Sequence, residues 1–192
     1  MTKEALGASS VYVYDWRYRK GGTTYDDRNL EEDIKNTRYV IYAPIGYVHS
    51  DYSYQGGLDR LFLHLTEPEL ESYKKQGARM RLINAWRPLR KVENAPLAMC
   101  DRRSVLPEDV IEVDKVLPNN LEVETCIYHR PYHKWYFMSE QTPDDVWLFV
   151  QWEECDVPCE TTSVPHTALN GPQVRLGDMP RESLEVRMIV IS

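Results

Sequence analysis

The segment RESLEVRMIVI, residues 181–191, decides the fold class of this 192-residue chain. Successive side chains of a β-strand point to opposite faces of the sheet. In a strand, one face of this segment carries Arg181, Ser183, Glu185 and Arg187. The other face carries Leu184, Val186 and Met188. This alternation of polar and apolar residues predicts a β-strand near the end of the chain.

Strand-like segments dominate the rest of the sequence as well. They are rich in β-branched and aromatic residues, which pack well on a pleated surface. The segments are 10–14, 39–42, 79–86, 122–128, 135–138 and 146–152. Many short strands separated by Pro, Gly and Asn predict a sandwich or jelly roll rather than a parallel α/β sheet.

Helical signals are fewer. The strongest covers residues 66–75, where Thr66 is the expected N-cap, acidic residues fill the first turn and Gly77 follows the last. We expect a short helix at 29–34 with Asn29 as its cap, and a turn or a single helical turn at 106–110. His64 is expected directly before the helix at 66–75.

Composition places the chain among globular proteins. Hydrophobic residues make up 42% and charged residues 28% of the chain, and 192 residues suit one domain, residues 1–192. The formal net charge of -7 argues against nucleic acid as the main partner. No long uncharged apolar run predicts a membrane span, and residues 1–8 lack the apolar stretch of a secretory signal.

The four cysteines are too few and too scattered for a disulfide scaffold. They are Cys100, Cys126, Cys155 and Cys159. Cys155 and Cys159 have no second cysteine pair that would complete a zinc site. We expect four reduced thiols and a cytosolic protein.

The stretch His49-Ser50-Asp51 offers two metal ligands. In an extended segment residues i and i+2 face the same way, so an imidazole nitrogen and a carboxylate oxygen can reach one ion. That pair is two thirds of the 2-His-1-carboxylate triad of non-haem iron oxygenases. A second histidine must come from elsewhere in the chain. The other histidines are His64, His129, His133 and His166.

His166 is favoured because an arginine and a hydroxyl follow it. Arg181 and Ser183 would share one strand face and together form a clamp for a carboxylate. A dicarboxylate that binds iron through one end needs such a clamp for its other end. The alternative is a surface strand whose charges are solvated.

Matching stretches run across nearly the whole chain in one order. They are 7–15, 48–53, 83–89, 96–105, 135–137, 142–146, 165–168 and 181–187. On these stretches the chain resembles the fungal and bacterial hydroxylase/desaturase family of natural-product biosynthesis. Members of that family include cephalosporin 7-alpha-methoxylation proteins and fungal oxygenases that tailor terpenoid-derived metabolites.

The resemblance implies a double-stranded β-helix of the cupin-like jelly-roll type, mainly β with a few flanking helices. It implies Fe(II) bound by His49, Asp51 and His166, with 2-oxoglutarate and dioxygen as co-substrates. It also implies that Arg181, helped by Ser183, binds the 2-oxoglutarate. The interval of 15 residues between positions 166 and 181 is longer than the family's usual one, so Arg187 is the reserve candidate.

The expected substrate is a small secondary metabolite such as a terpenoid or polyketide. Asn84 and Arg87 are candidates for contacts with it. Four aromatic residues are candidates for an apolar pocket wall, although each could equally belong to the ordinary core. They are Tyr52, Trp86, Trp135 and Tyr136. Hydroxylation, desaturation, rearrangement and endoperoxide formation all stay open as outcomes.

Family members carry a longer N-terminal region than this sequence does. An uncovered apolar face or strand edge recruits a partner, so we expect a homo- or heterodimer. Two rival functions follow from the same residues. One is a cupin-type metalloenzyme that does not use 2-oxoglutarate, and the other is a non-catalytic subunit that stabilises a catalytic relative. A lectin-like sandwich is disfavoured because it would not explain the triad and the clamp.

Overall fold

The computed structural model describes residues 2–22, 41–117, 120–155, 162–169 and 178–192. The helices within these ranges are α1 (Thr2–Ala5), α2 (Tyr54–His64) and α3 (Glu67–Lys75). The first strands are β1 (Ser10–Lys20), β2 (Ile41–Tyr42), β3 (Met80–Pro88), β4 (Leu97–Cys100) and β5 (Val110–Leu117). The later strands are β6 (Asn120–Ile127), β7 (Trp135–Phe137), β8 (Trp147–Glu153), β9 (His166–Ala168) and β10 (Glu182–Ile191).

Strand β10 is the middle strand of a five-stranded sheet with the order β2-β1-β10-β3-β8. It pairs antiparallel with β1 on one side and with β3 on the other. The segment on which the fold prediction rests is therefore a strand, and it lies at the centre of the sheet.

The second layer is assembled from smaller pieces. One is a three-stranded sheet in the order β7-β4-β9, and another is the antiparallel hairpin β5–β6. Two isolated bridges join these pieces, His49 with His166 of β9 and Ser50 with Thr125 of β6. The mainly-β jelly-roll prediction is confirmed.

One face of the five-stranded sheet is directed toward the second layer. This face is apolar at both ends and polar in the middle. At the first end helices α2 and α3 pack on the sheet, through Leu61, Leu70, Leu82, Trp152 and Ile189, among others. At the second end Trp86 and Phe149 pack against Leu97 and Met99 of β4. Between the two ends β3 and β10 place Asn84, Glu185 and Arg187 in the interior.

The opposite face of the sheet is apolar. Ile83, Met188 and Val190 are buried there, and Leu6 and Ala8 from the N-terminal segment cover them. The alternation predicted for residues 181–191 is therefore present in the structure, with the polar set directed toward the second layer.

The helix prediction at 66–75 is confirmed by α3. Glu69 accepts hydrogen bonds from the amide and the hydroxyl of Thr66, 2.8 and 2.7 Å away, and Gly77 has a positive φ of 66°. The expected turn at 106–110 is a 3-10 helix, Pro107–Asp109. The expected helix at 29–34 lies outside the described residues.

Helix α2 was not predicted, and His64, which was expected directly before the helix at 66–75, precedes α3 and also ends α2. Two glycines near its start, Gly56 and Gly57, weakened the helical signal. Ser53 is nonetheless a well-formed cap, since its hydroxyl accepts a hydrogen bond from the Gly56 amide at 3.1 Å.

The described residues include three of the four cysteines and three α-helices. Cys100, Cys126 and Cys155 form no disulfide within the described residues, and Cys159 lies outside the described ranges. Among the helices that the structure describes, none has the length and apolar character needed to cross a bilayer.

Gly57 sets how closely α2 approaches the sheet, because a Cβ at this position would overlap the buried indole of Trp152. We expect Gly57→Ala to lower the free energy of unfolding by about 1–2 kcal/mol. Overpacking costs about 1–3 kcal/mol, and the better helix propensity of Ala offsets up to about 1 kcal/mol of that cost. Urea unfolding measures the difference. The control is Leu63→Ala in the same helix, which removes a side chain that is 68% exposed. Stabilisation by Gly57→Ala would contradict this packing.

Candidate metal centre

Two side chains that are close in sequence and a third that is distant meet between the two layers. His49, Asp51 and His166 each offer one ligand atom, and these atoms lie within 4.8 Å of one another. The two imidazole rings are 4.4 Å apart between centroids. They come together because the backbones pair: the His49 amide donates to the His166 carbonyl at 3.1 Å, and the His166 amide donates back at 2.8 Å. Both histidines are buried, at 3% and 4% exposure.

The backbone fixes which nitrogen of each imidazole is free. The Nδ1 atom of His49 lies 3.1 Å from the carbonyl of Tyr47, and the Nδ1 atom of His166 lies 3.1 Å from the carbonyl of Val164. A carbonyl can only accept, so each Nδ1 carries the proton and each Nε2 keeps its lone pair. The Nε2 of His49 is buried and has no hydrogen-bond partner.

Both oxygens of the Asp51 carboxylate are hydrogen bonded. Asn84 donates to one oxygen at 2.8 Å, and Arg187 donates to the other at 3.0 Å. Burial alone would raise the pKa of Asp51, but the Arg187 guanidinium, the two imidazoles and the Asn84 hydrogen bond together hold that pKa well below its usual range. The carboxylate is therefore ionised at neutral pH.

Burial lowers the pKa of His49 to about 3, and the neighbouring His166 adds to this effect. His49 is therefore neutral at neutral pH, which is the form that binds metals. Two imidazole nitrogens and one ionised carboxylate are the donor set of the 2-His-1-carboxylate iron site. The unpartnered Nε2 of His49 is directed into the group of three donors, so these residues fit a ferrous ion.

A small cavity, partly open to solvent, adjoins the two histidines. Arg181 and Glu185 of the β10 segment, Arg19 of β1 and Trp86 of β3 are among its lining residues. Arg181 and Trp86 were expected as site residues, and both line the cavity beside the two histidines. Arg19 and Glu185 were not anticipated as site residues.

Arg181 is a buried cation with spare hydrogen-bonding capacity. It donates to the Ala95 carbonyl at 2.7 Å and lies over the Trp86 ring, 5.3 Å from its centroid. Its Nε has no hydrogen-bond partner, and the buried hydroxyl of Ser183 has none either. Burial, with repulsion from Arg19, lowers the pKa of Arg181 to about 9 although Glu185 acts in the opposite direction. A carboxylate bound in the cavity would accept hydrogen bonds from Arg181, whereas Ser183 is not among the residues that line this cavity.

Arg187, the reserve candidate for the clamp, is already engaged. Its guanidinium donates to Asp51 at 3.0 Å and to Glu185 at 2.9 Å. It does not line the cavity beside the histidines. The geometry therefore favours Arg181 over Arg187 as the anion-binding arginine.

The remaining candidates for substrate contacts are scattered. Asn84 is fully buried against Asp51, and Tyr52 lies in the apolar cluster under α2 with its hydroxyl 3.1 Å from that of Tyr14. Arg87 is three residues from Asn84 on β3, so it faces the other way, and it donates to the Pro143 carbonyl at 2.6 Å. Trp135 and Tyr136 are exposed on β7, at 37% and 55%.

Comparisons with known proteins agree with this geometry. Residues 1–191 match the family model of the oxidoreductase/YMDC permease-like domain. The chain is 32% identical to the hydroxylase/desaturase CTB9 of Cercospora beticola, across 99% of this chain and 60% of that protein. It is 27% identical to the alpha-ketoglutarate-dependent dioxygenase tstK of Talaromyces stipitatus, across 98% of this chain and 65% of that protein.

A solved structure has the same fold. The iron and alpha-ketoglutarate-dependent endoperoxidase NvfI superposes with a TM-score of 0.82 at 24% sequence identity, and the match covers 100% of this chain and 65% of NvfI. This chain thus spans about three fifths to two thirds of the length of the relatives it matches. Because the family model covers residues 1–191, the chain belongs to the oxidoreductase/YMDC permease-like domain family, and its curated relatives include fungal hydroxylase/desaturases such as CTB9.

Proposed function

We propose that this protein is a non-haem Fe(II)- and 2-oxoglutarate-dependent oxygenase of the hydroxylase/desaturase type, with His49, Asp51 and His166 as the iron ligands. The observation that carries the proposal is the pair of buried imidazoles whose Nε2 lone pairs are kept free beside an ionised carboxylate. The names of the relatives CTB9, tstK and NvfI support it.

Arg181 and Ser183 would bind the carboxylate of 2-oxoglutarate that is remote from the metal. Arg181 lines the cavity beside both histidines, and the free donors of the two residues would gain a partner. Bound iron would couple the oxidation of 2-oxoglutarate by dioxygen to the oxidation of a C–H bond of the substrate. The chain itself supplies the orientation of the ligands and the burial of the two imidazoles.

A small secondary metabolite is the proposed substrate, with Trp86 as part of the cavity wall. The site draws on residues from both layers, and these residues span the sequence from Arg19 to Arg187. We therefore propose that the chain forms one oxygenase domain. Cys100, Cys126 and Cys155 form no disulfide, as expected in a reducing compartment, and we propose that the protein is cytosolic.

We also propose a dimer, homo- or heteromeric. Strand β7 is the outer strand of its three-stranded sheet in the described part of the chain. Its three residues Trp135, Tyr136 and Phe137 are 37%, 55% and 46% exposed. An open strand edge with exposed aromatic side chains is a favourable place for a partner strand.

Iron and 2-oxoglutarate binding are tested without oxygen. Adding both to the wild-type protein under anaerobic conditions should produce a weak visible charge-transfer band, and His166→Ala should abolish it because one of three ligands is lost. His129→Ala, which removes an exposed histidine, is the matched control and should keep the band. A folded wild-type protein with a blank spectrum would contradict the proposed function and favour a non-catalytic subunit.

The clamp is tested by the concentration of 2-oxoglutarate needed for succinate formation. Arg181→Ala should raise the KM for 2-oxoglutarate at least about 30-fold, because loss of one partner from a buried charged pair costs about 2 kcal/mol or more. Ser183→Ala should raise it about 2- to 10-fold, the effect of one hydrogen bond. Arg103→Ala, at an exposed surface arginine, is the control. An unchanged KM in Arg181→Ala would contradict the clamp, and a wild-type protein that forms no succinate would favour a cupin-type enzyme without 2-oxoglutarate.

The dimer is tested by light scattering at micromolar concentration. We expect the mass of a dimer for the wild-type protein, or for its mixture with a relative in the heteromeric case. Tyr136→Lys should shift the mass to that of a monomer, since a charge in a buried aromatic contact is costly. A wild-type protein that stays strictly monomeric, alone and with its relatives, would refute this proposal.

A further inference from the structure

Glu185 is a buried carboxylate that the proposed reaction does not use. It lies on the inner face of β10, is 4% exposed and lines the cavity beside the histidines. It is not one of the three groups that fit the metal. A buried carboxylate is costly unless cations and hydrogen-bond donors compensate for it. Its surroundings therefore indicate what it does.

Glu185 shares its two main donors with Asp51. The Nε of Arg187 donates to Glu185 at 2.9 Å, while a terminal nitrogen of the same guanidinium donates to Asp51 at 3.0 Å. The Asn84 amide nitrogen donates to Asp51 at 2.8 Å and lies 3.4 Å from the same Glu185 oxygen. Arg19 pairs with the other Glu185 oxygen at 3.5 Å.

The sheet register puts the two shared donors side by side. Arg187 of β10 and Asn84 of β3 are direct neighbours across the antiparallel pair. Glu185 is two residues before Arg187 and shares its face. Asp51 comes from the second layer and meets the two donors from the other side. The four side chains therefore form a closed ring in which each carboxylate contacts both donors.

This ring determines how the Asp51 carboxylate can turn. Arg187 holds one Asp51 oxygen and Asn84 holds the other, so rotation of the carboxylate would break one bond or both. The oxygen held by Arg187 lies 3.9 Å from the Nε2 of His49. Glu185 in turn fixes the orientation of the Arg187 guanidinium. The group is planar, so a hydrogen bond at its Nε also restricts the positions of its terminal nitrogens.

We propose that Glu185 is a positioning residue for iron, which acts through Arg187 and Asn84 to hold the Asp51 carboxylate in its ligating orientation. This inference rests on the proposed function, since it takes His49, Asp51 and His166 as the iron ligands. Groups that orient a ligand in this way affect metal affinity by about 10- to 100-fold. A merely structural role, in which Glu185 neutralises buried arginines, predicts lower stability and unchanged affinity for iron.

The test is the affinity of the apoprotein for Fe(II) alone, measured anaerobically by competition with a chromophoric chelator. Glu185→Gln should weaken Fe(II) binding about tenfold, because the amide keeps one acceptor for Arg187 but loses the charge. Arg187→Lys should weaken it about 10- to 100-fold, because lysine keeps the charge and cannot bridge two carboxylates. Thermal unfolding of each apoprotein is recorded beside the affinity.

The control is Arg103→Lys. Arg103 also forms a two-nitrogen contact with an aspartate, Asp101, at 2.9 and 2.7 Å, but on the surface and away from the cavity. This variant should bind Fe(II) like the wild type. Comparison of Arg187→Lys with Arg103→Lys shows whether the Fe(II) affinity depends on the guanidinium at the site or falls with the loss of any paired guanidinium.

The outcomes separate the two proposals. A wild-type protein that does not bind Fe(II) refutes the proposed function itself. Wild-type binding with unchanged affinity in Glu185→Gln and Arg187→Lys overturns the positioning role, whatever happens to their stability. If Glu185→Gln does not fold, Arg187→Lys alone decides, and an affinity equal to that of Arg103→Lys counts against the proposal.

Discussion

The ion pair between Arg187 and Asp51 joins the two layers at the polar middle of the jelly roll. Arg187 belongs to the central strand of the large sheet, and Asp51 belongs to the segment that closes the second layer. Charges are buried in proteins only when partners compensate for them, and here Glu185 and Asn84 complete the compensation. The two apolar clusters on either side keep water from this pair. The position of the metal ligands depends on this arrangement.

The sequence predicted those parts of the fold and the site that depend on local pattern. Alternation in residues 181–191 predicted both the strand and its polar face, and the i, i+2 rule placed His49 and Asp51 together. The same rule predicts that Asn84 and Arg87 lie on opposite faces of the sheet, because they are three residues apart in one strand. Glu185 lay on the predicted polar face, and the alternation alone gave sufficient reason to consider it for the site.

Other features arise from tertiary contacts that no local pattern contains. The proximity of Arg19 to Glu185 comes from the pairing of β1 with β10, whose partners are far apart in the chain. Helix α2 contains two glycines in its first turn, and one of them, Gly57, lies against Trp152, so that this packing outweighs the poor helix propensity of glycine. The exposure of Trp135 and Tyr136 follows from the outer position of β7, which strand composition does not indicate.

The main-chain bridge between His49 and His166 makes the spacing of the two imidazoles a property of the backbone. Neither peptide group in that bridge depends on the side chain attached to it. Exchange of either histidine would therefore remove one candidate metal donor and leave the backbone scaffold of the site in place. The architecture thus separates the chemistry of the two positions from the spacing between them.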